Sequence, residues 1–138
     1  MDMLLDEELN KITEKIIGCA FKVSNTLGIG FVEKVYENSL AHEILKTKLQ
    51  VQQQHPICVY YDQKLVGEFF ADLLVEEKVL VELKVARSFD NTHMMQCLNY
   101  LRASDLPVCL LINFGRPKIE TKRIVPSDVW KPVTYGHI

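Results

Sequence analysis

Asp72, Glu82 and Lys84 are residue types that together suit a hard cation and phosphoryl chemistry. Asp72 interrupts an apolar run, Phe69-Phe70-Ala71-Asp72-Leu73-Leu74. Glu82 and Lys84 interrupt a second run, Val79-Leu80-Val81-Glu82-Leu83-Lys84-Val85. Side chains alternate on a strand, so Val79, Val81, Leu83 and Val85 should face the core. Glu82 and Lys84 then share the other face. Two carboxylates brought together repel, and a divalent cation relieves that repulsion. An ammonium beside them can orient a water or stabilise transition-state charge.

Convergence places a demand on the hairpin between the two runs. An odd loop of Glu76, Glu77 and Lys78 pairs Val75 with Val79 and sets Asp72 opposite Glu82. A two-residue loop without a bulge puts the carboxylates on opposite faces. A solvated strand face or an aspartate at a strand bend gives the same residue pattern, so spacing alone leaves both readings open.

The surrounding elements follow from periodicity. Residues 6–25 read as an amphipathic helix through Leu9, Ile12, Ile16, Ala20 and Val23. Gly28 and Gly30 break it. A second helix covers 32–45, with Val35, Tyr36, Leu40 and Ile44 inward. Strands are expected over 51–61, 65–75 and 79–85, and Pro56 marks the first as an edge or bulged strand. A helix over 91–103 takes Asp90 or Asn91 as N-cap. The apolar run 107–114 reads as a strand buried on both faces. A weaker strand covers 119–125, and the tail after Pro126 carries no clear pattern. Three strands joined by tight turns make an antiparallel meander, and a strand reached through a helix lies parallel to the one before it. The fold class is α/β, a mixed sheet with helices packed on it, and residues 1–138 read as a single domain.

Composition bounds the partners. The chain is 48% hydrophobic and 25% charged, enough for a globular core. No apolar run approaches a membrane span, and the start of the chain is acidic, which implies a cytoplasmic protein without a membrane partner. Cys19, Cys58, Cys97 and Cys109 are widely spaced and read as reduced thiols. His42, His55, His93 and His137 are scattered, with His93 one turn before Gln96 and best read as a solvent or capping residue. The net charge is −2. Acids gather near the N-terminus (Asp2, Asp6, Glu7, Glu8, Glu14). Bases gather beyond residue 115 (Arg116, Lys118, Lys122, Arg123, Lys131, against Glu120 and Asp128), a segment that suits a phosphate backbone or a solvated face.

Asp72, nine intervening residues and Glu82-Leu83-Lys84 resemble the D…E-x-K signature of the PD-(D/E)xK nuclease superfamily. Ala71 stands where a proline often precedes the aspartate. Gln96-Cys97-Leu98-Asn99-Tyr100 is similar to the Q-x-x-x-Y motif of its RecB-like branch, and the two polar residues share a helix face. Gly30-Phe31-Val32-Glu33-Lys34-Val35-Tyr36 resembles the element that names the GxxExxY proteins. The likeness covers residues 6–126.

The resemblance implies a restriction-endonuclease-like core and a Mg²⁺- or Mn²⁺-dependent nuclease, with DNA as its nucleic-acid partner. It implies Glu33, Asp72, Glu82 and the carbonyl of Leu83 as metal ligands, and Lys84, Gln96 and Tyr100 as the catalytic group. Arg87, Lys118, Lys122 and Arg123 are the candidate phosphate contacts. An RNA or small-nucleotide substrate fits the same residues. The alternative is a catalytically weak or inactive nuclease-fold module acting through a protein or nucleic-acid partner, and a homodimer or protein partner could help to hold the substrate. The slight negative charge favours such help, because non-specific DNA affinity comes from many Lys and Arg contacts.

Overall fold

A computed structural model describes the backbone of residues 3–127 and the side chains from residue 6. Asp2, Asp128, Lys131 and His137 lie outside the described residues. Eight elements follow in order: α1 (Met3–Leu27), α2 (Glu33–Lys46), β1 (Val51–Tyr61), β2 (Lys64–Val75), β3 (Val79–Lys84), α3 (Asn91–Ser104), β4 (Val108–Asn113) and β5 (Glu120–Ile124). The strands form one sheet in sequence order. β1, β2 and β3 are an antiparallel meander, β4 runs parallel to β3, and β5 returns antiparallel. The mixed α/β fold expected from periodicity is the fold observed.

Two apolar layers sandwich the sheet. On one side Leu9, Ile16, Leu40 and Ile44 of α1 and α2 pack on Leu73, Val81, Leu83 and Leu110. On the other, Leu98 and Leu101 of α3 pack on Leu80, Cys109 and Leu111. β4 is buried along its whole length, as its unbroken apolar run requires. β1 is the edge strand, which accommodates Pro56. Asp62 and Gln63 both hold positive φ, so the β1–β2 turn matches the twist of a two-residue hairpin. Lys64 therefore belongs to β2 and not to the turn.

Two expectations need correction. Val85 does not extend the core face of β3, which stops at Lys84, and it is 37% exposed. The chain turns there because Asn113 captures Ala86. Val35 is only half-buried, and the inward residues of α2 are Tyr36, Glu37, Leu40, Ala41 and Ile44.

Candidate active site

The odd hairpin loop is present. Val75 pairs with Val79 across Glu76, Glu77 and Lys78, and the ladder continues through Leu74 with Leu80 to Leu73 with Val81. Beyond that point side chains replace the backbone ladder. The Asp72 amide donates to Glu82 Oε1 at 2.9 Å, and the Leu83 amide donates to Asp72 Oδ2 at 2.8 Å. β2 continues with β1 alone, from His55 opposite Ala71 out to the turn. The two carboxylates thus stand at a fork, where a two-stranded arm leaves the sheet. Each commits an oxygen to a backbone N–H of the other strand.

Burial makes this pair electrostatically uncomfortable. Glu82 is 3% exposed. Desolvation, then the nearby Asp72 charge, push its pKa up to about 8. Asp72 is raised by burial first and then by the charges of Glu37 and Glu33, against the lowering effect of the Leu83 amide. Lys84 lowers both carboxyls, but its Nζ donates to Gln96 Oε1 at 2.8 Å. Negative charge is in excess.

α2 brings two more acids. Glu33 lies exposed in its first turn, near enough for its charge to raise both Asp72 and Glu82. Its placement depends on Tyr36, which is fully buried and stacks on Phe114 at 4.8 Å. The Tyr36 hydroxyl donates to the Gly28 carbonyl at 2.6 Å and accepts from the Phe31 amide at 3.3 Å. Gly28 and Gly30 both hold positive φ, so this tight entry suits glycine. Glu37 was not anticipated. It is buried, pairs with Lys34, and accepts from Gln53 and Gln54 at 2.8 and 2.9 Å. Gln54 also reaches Asp72 Oδ1 at 3.5 Å and so bridges the two acids. One sequence signal could have found it: Glu37 occupies an inward step of the Leu40–Ala41–Ile44 pattern.

α3 supplies the opposite wall. Gln96 accepts from Lys84, and its Nε2 donates to the Tyr100 hydroxyl at 3.0 Å. Burial, then the Glu82 charge, raise the pKa of Tyr100, which keeps its proton to donate. The helix starts in a capping box, in which Asp90 Oδ1 accepts from the His93 amide and His93 Nδ1 accepts from the Asp90 amide. His93 is a cap and Asp90 is the N-cap.

Asn113 holds the end of β3. It is fully buried; its Oδ1 accepts from the Ala86 and Gly115 amides and its Nδ2 donates to the Ala86 carbonyl and to Glu120. A Cβ on Gly115 would fall 2.4 Å from the Ala86 carbonyl oxygen, so the close approach requires glycine. Asn113→Ala is expected to cost about 2 kcal/mol, because several backbone groups lose their partner. Urea unfolding checks this, and an unchanged midpoint contradicts the clamp.

The basic residues are spread over the β3–α3 connection, the β4–β5 connection and β5. Arg87 is exposed between β3 and α3, where its carbonyl accepts from Arg116. Lys118 lies exposed between β4 and β5. Lys122 and Arg123 alternate on the exposed far edge, and Arg123 bonds Asn10 of α1.

Among the described residues, no group of three or more His, Cys, Asp or Glu side chains is placed to hold a metal ion. The donor set nevertheless fits a hard divalent cation. Asp72, half-buried, and Glu82, buried, are adjacent and short of positive charge, and Mg²⁺ takes one or two carboxylates with waters completing the shell. No described helix is long and apolar enough to cross a membrane. No curated protein and no solved structure matches the chain. A family model described as the PD-(D/E)XK nuclease superfamily does match, over residues 10–124, a span running from α1 through β5 with the fork at its centre. The chain belongs to the PD-(D/E)XK nuclease superfamily.

Proposed function

We propose that this chain is a Mg²⁺- or Mn²⁺-dependent nuclease that hydrolyses phosphodiester bonds in DNA. The observation that carries the reading is the fork, where half-buried Asp72 and buried Glu82 stand side by side, with Lys84 on the strand of Glu82. Asp72, Glu82 and the Leu83 carbonyl would hold the cation, with Glu33 completing the set from α2. A divalent cation held there would polarise a phosphoryl oxygen and ease attack by water.

The chain's own groups do the rest. Lys84 orients the water and balances the charge that grows in the transition state. Gln96 positions Lys84 and Tyr100 at once, because its carbonyl faces one and its amide the other. Tyr100 donates to a phosphate oxygen. Arg87, Lys118, Lys122 and Arg123 contact phosphates away from the scissile bond. The likeness to the GxxExxY proteins is supported by Gly30 and Tyr36, which shape the entry to the helix that carries Glu33. Four free thiols suit a reducing cytoplasm.

The test is cleavage of single- and double-stranded DNA with Mg²⁺ or Mn²⁺, beside Lys84→Ala. Wild type should cut and the variant should not. Equal cutting by both indicates contamination. No cutting with either metal rejects the enzyme and favours a module acting through a partner. Gln96→Ala is expected to lower kcat roughly tenfold with little change in KM, as for residues that orient others. A change confined to KM contradicts the positioning role.

A further inference from the structure

A cleft of about 750 Å³ opens between the β1–β2 arm and α3, next to the Lys84–Gln96–Tyr100 chain. Its size is that of a small-molecule site. Three aromatic rings shape it. Tyr60 and Phe69 come from the arm and are 64% and 49% exposed, so the core does not account for them. Tyr100 comes from α3, with its ring centroid 6.0 Å from Phe69 and the planes inclined by 39°. The rings form an open wedge, not a closed stack. The helix side of the cleft mixes polar residues with Met95 and Ala103. Thr92, Gln96 and Asn99 recur at four- and three-residue steps and share one helix face.

An apolar ligand would cover the exposed Thr92 and Asn99 without satisfying them, which is costly. A bare phosphate would not use the rings. A planar heterocycle with donors and acceptors on its rim satisfies both sides: its face stacks on an aromatic ring and its edge meets Thr92 and Asn99. The cleft shares Gln96 and Tyr100 with the fork, so such a ring arrives attached to a phosphate near Lys84. Bases inside a duplex are stacked and cannot enter; bases of single strands and frayed ends can.

We infer that this cleft is a nucleobase subsite, which makes the preferred substrate a strand with unpaired bases. The inference rests on the nuclease reading for its substrate, but its test does not need turnover. A fluorescent single-stranded oligodeoxynucleotide, an abasic strand of equal length and the matching duplex are titrated with protein in EDTA and followed by anisotropy. Wild type should bind the normal strand roughly tenfold more tightly than the abasic one. Phe69→Ala and Tyr60→Ala should each lose most of that preference, and Phe69→Tyr should keep it. Both truncations lie at exposed positions, and melting curves verify that the variants are folded. Equal binding of normal and abasic strands by wild type overturns the inference. So does a uniform loss of all three ligands in the alanine variants, a preference for the duplex, or no binding of the normal strand. Base preference without metal-dependent cleavage would keep the subsite and remove the nuclease; cleavage without base preference would do the reverse.

Discussion

Glu82→Gln is expected to slow DNA cleavage by at least about a hundredfold, on the scale of losing one preorganised electrostatic group, while stabilising the metal-free protein. The two effects have one origin. Glutamine keeps the shape of the side chain and an oxygen to accept the Asp72 amide. It removes the charge that a cation needs and that burial penalises. The pH dependence has a definite sign. The Glu82 pKa is raised by burial and by Asp72 from 4.5 to about 8. Folding therefore favours the protonated carboxyl. That stabilisation is complete below about 4.5 and is lost as pH rises through about 8. Glutamine does not ionise, so wild type and variant should melt alike in acid and diverge across this window, the variant melting higher. Melting curves across pH read this out, and a variant less stable at every pH contradicts it.

Mn²⁺ is expected to raise the melting temperature of wild type, and more so at alkaline than at acidic pH. The cation must displace the proton that Glu82 carries below about pH 8. At a free concentration of about 100 times Kd, mass action contributes about 2.7 kcal/mol. For a domain of this size that is roughly 10 °C. Asp72→Asn should abolish the shift, because it removes the other carboxylate. An equal shift in the variant would place the ion elsewhere.

Much of this arrangement was legible in the sequence because it rests on local rules. The change of period from three or four to two marked helices and strands, and the continuous apolar run marked β4 as doubly buried. The count of residues in the Glu76–Lys78 loop fixed the register that brings Asp72 to Glu82. What was not legible depends on contacts distant in the chain. Glu37 looks like any helical glutamate until Gln53 and Gln54 of β1 close over it. The end of β3 is set by Asn113, 27 residues away from Ala86, and so Val85 continued an apolar pattern that the strand itself does not follow. The carboxylates also do not simply face one another across a ladder. The ladder ends at Leu73, and their own hydrogen bonds to backbone amides hold the fork open. The β1–β2 arm beyond it has no signature in a motif, though its exposed aromatic residues border the cleft.

On this reading Asp72 and Glu82 together hold a divalent cation at the fork. Calorimetric titration of Mn²⁺ into wild type and Glu82→Gln, near neutral pH and in two buffers of different ionisation heat, tests it most directly. The fork predicts saturable binding by wild type with a proton released to the buffer, and strongly weakened binding without that release in the variant. Equal affinity and equal proton release in the two proteins would contradict it.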